Sequence, residues 1–203
     1  MPTPLEFDVE GKVFVAVGAG RGIGRGVVEV LAEAGADGAV TALTPAYVLP
    51  LAERVTKSTG RRVTGIVSDG TSSDAMAAVV EQVLRDFGRI DIWVNALGDA
   101  IRSPLVPLPQ ADGTHVPAAA LSDADLRRVL DINLTSIVIG CRAIGGYFAD
   151  RGRGRIINIG STAGFIGARG TQPRSRRRSA RESRGTIRTP RPSAPTPGRA
   201  TAG

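Results

Sequence analysis

Short apolar runs and longer amphipathic stretches take turns along this chain. Residues 12–17 (KVFVAV) form a nearly unbroken β-branched and aromatic run, which predicts a strand covered on both faces. After a glycine cluster, RGVVEVLAEAG repeats Val27, Val28, Leu31 and Ala34 at helical spacing, with Gly35 as its stop. Residues 38–42 predict a second strand. Thr44-Pro45 then reads as N-cap and first-turn proline of a helix to about Ser58. Residues 62–67 predict a third strand, Ser72 or Ser73 caps a helix ending at Phe87 before Gly88, and residues 90–94 (IDIWV) predict a fourth strand. Residues 95–121 hold four prolines (104, 107, 109 and 117) and read as a long loop, a kind that is usually functional or disordered. Ser122-Asp-Ala-Asp125 is a capping box for a helical pattern through about Asp150, and residues 155–159 (RIINI) predict a fifth strand. No internal repeat is visible.

Strand and helix in alternation predict an α/β fold: a Rossmann-type, doubly wound parallel sheet with right-handed crossovers. The pattern is incomplete after the fifth strand. Residues 174–203 carry nine Arg, one Glu and four Pro with almost no apolar periodicity, so a disordered basic tail is expected. The domain reading is therefore 1–173 for the sheet and 174–203 for the tail.

Charge changes the picture only once it is divided. The chain has 203 residues, 42% of them apolar, and a net charge of +7. Residues 1–173 hold 17 basic and 18 acidic side chains, and residues 174–203 hold nine and one. The body is thus near neutral and offers no electrostatic case for binding nucleic acid. Cys141 stands alone, which excludes an internal disulfide framework, fits a reducing compartment and reads as a small buried hydrophobe. The sequence MPTPLEFDVEGK has no charged-then-apolar leader, and no apolar run was expected to approach the ~20 residues of a membrane span. The expected location is cytoplasmic, with no membrane partner. His115 has no second His or Cys near it, so no metal is expected.

The glycine cluster carries the first chemistry. Gly18-Ala19-Gly20-Arg21-Gly22-Ile23-Gly24 lies between the first strand and the first helix. Gly18 permits a tight turn, Gly22 removes a side chain where backbone must approach a pyrophosphate, and Gly24 lets helix and strand pack closely. The helix N-terminus then aims free N–H groups and its positive dipole end at phosphate. Strand before and helix after make dinucleotide binding the expected use. A carboxylate for ribose hydroxyls would be expected about 20 residues on. That position holds Ala42-Leu43-Thr44, which leaves room for a 2′-phosphate, with Arg21 as countercharge; NADP is favoured over NAD.

Spacing and order extend this. GxxxGxG at 18–24, VSDG at 67–70, VNALG at 94–98, DINLTS at 131–136 and INIGSTAG at 157–164 together resemble the short-chain dehydrogenase/reductase family over about residues 13–173. The resemblance implies that Asp69 bonds the adenine amino group and that Asn95 and Gly98 support the sheet and cofactor wall. It also implies that Ser161 is the catalytic serine and Asn133 the active-site asparagine of a proton relay. Val17 stands where the family usually has Thr. Ala96 and Leu97 depart from VNNAG, with an expected effect on the nicotinamide-side wall. The implied activity is hydride transfer between a nicotinamide cofactor and a small carbonyl or alcohol substrate. Intact relatives would be homo-oligomers, whereas this chain is expected not to assemble.

The family's tyrosine and lysine fall at Arg174 and Arg178. A guanidinium with pKa above ~12 is unsuited to general acid–base work near neutrality, and its planar fork is not the shape of an ammonium. Tyr47 and Tyr147 lack a lysine four residues on. Impaired catalysis is therefore expected. Alanine codons GCG read one base late become CGG, so Arg176-Arg177-Arg178 suggests a displaced reading frame from about codon 174. The alternative reading is a non-catalytic dinucleotide-binding body with an Arg-rich tail for a polyanion.

Overall fold

The computed structural model describes residues 8–101, 103 and 120–161. The proline-rich loop around His115 and the whole basic tail, with Arg174 and Arg178, lie outside the described residues. The described chain runs β1 (Val13–Val17), α1 (Gly22–Glu33), β2 (Asp37–Ala42), α2 (Pro45–Thr59), β3 (Val63–Val67), α3 (Ser73–Phe87), β4 (Ile92–Asn95), α4 (Asp123–Leu130), a π-helical turn (Asp131–Thr135), α5 (Ser136–Asp150) and β5 (Arg155–Asn158).

Five parallel strands lie in the order β3-β2-β1-β4-β5. Alternate side chains of β1 enter opposite cores. Val13, Val15 and Val17 join Met76, Val79 and Val83 of α3, Trp93 of β4 and Ile139 and Ile144 of α5. Phe14 and Ala16 join Val28 and Ala32 of α1 and Val48, Leu51 and Val55 of α2. This two-sided burial is why the strand reads as a continuous apolar run instead of an alternation.

Caps follow local chemistry. The Ser72 hydroxyl accepts the Ala75 N–H, and Gly88 closes α3 in the left-handed conformation. At α4, Ser122 accepts the Asp125 N–H at 3.1 Å and donates to the Asp125 carboxylate at 2.7 Å. Thr44 holds the N-cap position of α2 but makes no side-chain cap bond. Pro50, which the pattern did not flag, sits inside that helix on its exposed side.

Two expectations need correction. The pattern 122–150 is not one regular helix, because a π turn interrupts it at Asp131–Thr135. Within it Ile139 and Ile144 are 8% and 0% exposed, whereas Leu126, Leu130, Leu134 and Val138 face outward. Finally, the span Asp123–Asp150 is long and apolar enough, by length and composition, to cross a membrane. Its Ile139, Ile144 and Phe148 lie against α3 and β4, while 22% of its most apolar stretch is buried.

Candidate functional site

The carboxyl ends of all five strands share one edge. Chain order reverses between β1 and β4, the crevice where open α/β sheets bind ligands. The Gly18–Gly24 turn emerges there. Gly18 has φ +70 and Gly22 φ +59, the left-handed region that only glycine enters freely. A Cβ on Gly22 would meet nothing within 4 Å, so the backbone there faces open space. At Gly24 it would lie 2.6 Å from the Ala19 Cα, and at Gly20 2.9 Å from the Tyr47 Cβ. These two positions let α1 and α2 approach the turn. Arg21, the N-cap of α1, makes no side-chain cap bond, and the first turn contains no acid. The first N–H groups of that helix therefore keep their capacity for an anion.

A cavity of about 360 Å³ opens beside this turn, lined in part by Gly18, Gly20, Arg21, Thr44, Leu97 and Gly98. The Arg21 guanidinium lies 5.7 Å from the Tyr47 ring centre, so cation and ring together wall the side near the end of β2. Ile23, beyond Gly22, is exposed. Asp69 follows β3, and one carboxylate oxygen accepts both the Thr71 N–H (2.9 Å) and the Thr71 hydroxyl (2.7 Å). The hydroxyls of Thr41 and Ser68, at the ends of β2 and β3, are buried without a hydrogen-bond partner among the described residues. Water or a ligand completes such groups.

Asn95 and Asn133 anchor the other side. The buried Asn95 amide accepts from Trp93 Nε1 at 2.8 Å and donates to Asn158 Oδ1 at 2.8 Å, tying β4 to β5. Its contribution is thus to hold the two strand ends, from which Gly98 and Ser161 follow. Cys141 was expected to be a plain buried hydrophobe. It is half-buried, with its sulfur 3.7 Å from Asn95 Nδ2 and 3.8 Å from Asn158 Oδ1. Asn133 lies in the π turn, where its amide donates to the Asp99 carbonyl and the Val129 carbonyl, each at 2.8 Å. Its oxygen accepts the Asp99 N–H at 3.3 Å. Asp99 itself pairs with Arg128 at 3.4 Å. Sequence reading missed Asp99 because its role depends on a helix more than twenty residues away in sequence. Ser161 is exposed at the end of the segment after β5, on the same edge of the sheet as Asn133.

Leu97 packs between two glycines. Its Cα and Cβ stand 2.6 Å from where a Gly18 Cβ would be, and its Cδ1 2.7 Å from a Gly70 Cβ. It therefore lies between the glycine turn and the loop carrying Asp69. Among the described residues no group of His, Cys, Asp and Glu is arranged to hold a metal.

Comparison with known proteins agrees with this arrangement. The profile of the family described as short chain dehydrogenase matches residues 12–173. The chain is 36% identical over 162 residues to a 2-dehydro-3-deoxy-D-gluconate 5-dehydrogenase of Pseudoalteromonas atlantica, covering 80% of this chain and 59% of that protein. It is 29% identical over 163 residues to a 3-oxoacyl-(acyl-carrier-protein) reductase of Vibrio cholerae, covering 80% and 60%. Among solved structures, a short chain dehydrogenase from Mycobacterium smegmatis superposes with a TM-score of 0.69 at 28% identity, covering 81% of this chain and 64% of that one. An NAD+-bound xylitol dehydrogenase gives 0.67 at 29%, covering 80% and 57%. The chain thus spans less than two thirds of the length of these relatives.

Proposed function

This chain belongs to the short chain dehydrogenase family, and on that premise we propose that its body is the nicotinamide-dinucleotide half of an oxidoreductase for a small carbonyl or alcohol substrate. The observation that carries the reading is the Gly18–Gly24 turn, which opens an uncapped helix at the point where strand order reverses. The residues fit the group. Open space at Gly22 and the free first-turn N–H groups suit a pyrophosphate, with Gly18, Gly20, Ile23 and Gly24 shaping the turn. Asp69 keeps one carboxylate oxygen for an adenine amino group, its other being spent on Thr71. Gly98 borders the cavity without a side chain. When bound, the cofactor supplies or accepts a hydride.

NADP is preferred to NAD in this reading. Residues 42–44 hold no carboxylate to repel a 2′-phosphate, and Arg21 reaches the same cavity wall as Thr44 and Tyr47. Ser161 would donate a hydrogen bond to the substrate oxygen. Asn133 would fix the π turn by its bonds to Asp99 and to the Val129 carbonyl. The proton donor is what the chain lacks: arginine at 174 and 178 supplies neither a phenol nor an ammonium. The chain as it stands binds cofactor but turns substrate over poorly.

Calorimetric titration of the full chain with NADPH and NADH tests the reading, and NADPH is expected to bind more tightly. Tighter NADH binding overturns the preference, and binding of neither overturns the pocket.

A further inference from the structure

Leu97 and Gly70 fit together as a pair. Gly70 is buried, and its backbone is not in the left-handed region, so space and not conformation calls for glycine there. The Leu97 Cδ1 and the Val17 Cγ1 stand 2.7 and 3.1 Å from where its Cβ would lie. Leu97 therefore reaches from Gly18 across to the segment that carries Asp69, using room that any side chain at 70 would take. It belongs to neither of the two sheet-face cores and instead lines the 360 Å³ cavity with Ala42, Leu43 and Thr71. An apolar side chain kept out of the core and turned to a cavity presents a surface that a flat apolar ligand face can cover.

Resting on the dinucleotide reading above, we propose that Leu97 is the platform against which the adenine ring of the cofactor lies, and that Gly70 is the gap that lets it reach there. Asp69, next to Gly70, then meets the edge of the same ring. Leu97 is a specificity-determining residue for the purine half of the dinucleotide and takes no part at the nicotinamide half.

The test is calorimetric titration of the full chain and its variants with two probes, NADPH and nicotinamide mononucleotide, after circular dichroism melts establish that each variant is folded. Leu97→Ala should weaken NADPH about tenfold, as expected for losing part of a leucine's contact area, and leave the mononucleotide unchanged. Leu97→Asn keeps the bulk but removes the apolar face, and should weaken NADPH in the same way. Gly70→Val alone should push Leu97 aside and also weaken NADPH. The double variant Leu97→Ala/Gly70→Val refills the gap from the other side and should bind NADPH more tightly than either single variant. NADPH affinity unchanged in Leu97→Ala, both probes weakened equally, or a double variant no better than the singles would each overturn the proposal. A wild-type chain that binds no NADPH defeats the dinucleotide reading itself, and this inference falls with it.

Discussion

Among the described residues, the central strand β1 and the edge strand β5 differ in side-chain cover. β1 pairs on both sides, and all five of its residues are buried between helix layers. β5 pairs with β4 in full register, from Ile92↔Arg155 to Asn95↔Asn158, yet all four of its residues are exposed. Hydrogen-bond pairing is present at both strands; among the described residues, side-chain cover is present at one. Backbone pairing places a strand, whereas burial of apolar surface is what stabilises it. The consequence is functional as well as structural. The glycine turn stands on the covered flank, and Ser161 hangs from the uncovered one. Among the described residues, the strand that leads into the glycine turn is covered on both faces, and the strand that leads to Ser161 is not.

Activity gives the largest expected effect. The full chain should reduce carbonyl substrates at least ~10²–10⁴-fold more slowly than a relative with the tyrosine and lysine, read as loss of NADPH absorbance. Arg174→Tyr with Arg178→Lys should not restore the rate, because a finished flank is needed to hold that pair. Restoring a frame that encodes Tyr-x-x-x-Lys and further strands should restore it. Recovery by the two point substitutions alone would break the comparison, since β5 would then need no cover. Absence of such a pattern from both alternative frames would remove the displaced-frame reading.

Stability should follow the same divide along one row of the sheet. Val15, Trp93 and Ile156 are register neighbours across β1, β4 and β5. Trp93 is fully buried and Ile156 is 38% exposed. Trp93→Ala should cost about 3–5 kcal/mol in urea unfolding. Ile156→Ala should stay within about 0.5 kcal/mol. Comparable losses at the two positions would show that β5 is covered in solution.

Association is expected where apolar side chains are exposed. Ile156 and Ile157 on β5 and Leu126, Leu130, Leu134 and Val138 on α4, the π turn and α5 are all exposed. Open strands and apolar patches of this kind drive aggregation. Light scattering of the full chain should show polydisperse material that Ile157→Lys reduces. A monodisperse tetramer would mean that these surfaces find a defined partner.

Legibility in the sequence divides along similar lines. β1, the glycine turn and the caps at Ser72 and Ser122 were readable because each depends on neighbours within a few positions. Apolar periodicity revealed that 122–150 is helical, but not which face would be covered. That face is set by α3 and β4, and so Ile139 and Ile144 are buried while Leu134 is not. The π turn was unreadable because the bonds of Asn133 to Asp99 cross 34 positions. Leu97 was seen as a departure from the family pattern, yet only the fold shows it against Gly18 and Gly70.

The smallest effect lies at the opposite edge, where β4 begins, and it separates the flanks by pH. Asp91 accepts the Val13 N–H at 3.0 Å and both Arg89 nitrogens at 2.7 and 2.8 Å, which pins β4 to β1. Arg151, from the turn before β5, stands 3.9 Å away. Burial alone would raise the Asp91 carboxyl, but the Arg89 bond, the Val13 N–H and the charges of Arg89 and Arg151 together outweigh it and hold it below its ordinary value of 3.8. A carboxyl depressed in the folded state stabilises the fold above its unfolded value, and that contribution is lost as pH falls through the folded value. The urea midpoint of the wild type should therefore drop as pH is lowered beneath about 3.8. Asp91→Asn should cost about 1 kcal/mol at neutral pH and flatten that drop. Because the Asp91 carboxylate bonds the Val13 N–H of β1 directly, while the Arg155 N–H of β5 is held by the Asp91 backbone carbonyl, which the substitution keeps, the substitution should speed amide exchange at Val13 more than in β5. Equal acceleration in both strands would mean that the two flanks open as one unit, and the distinction between them would not hold.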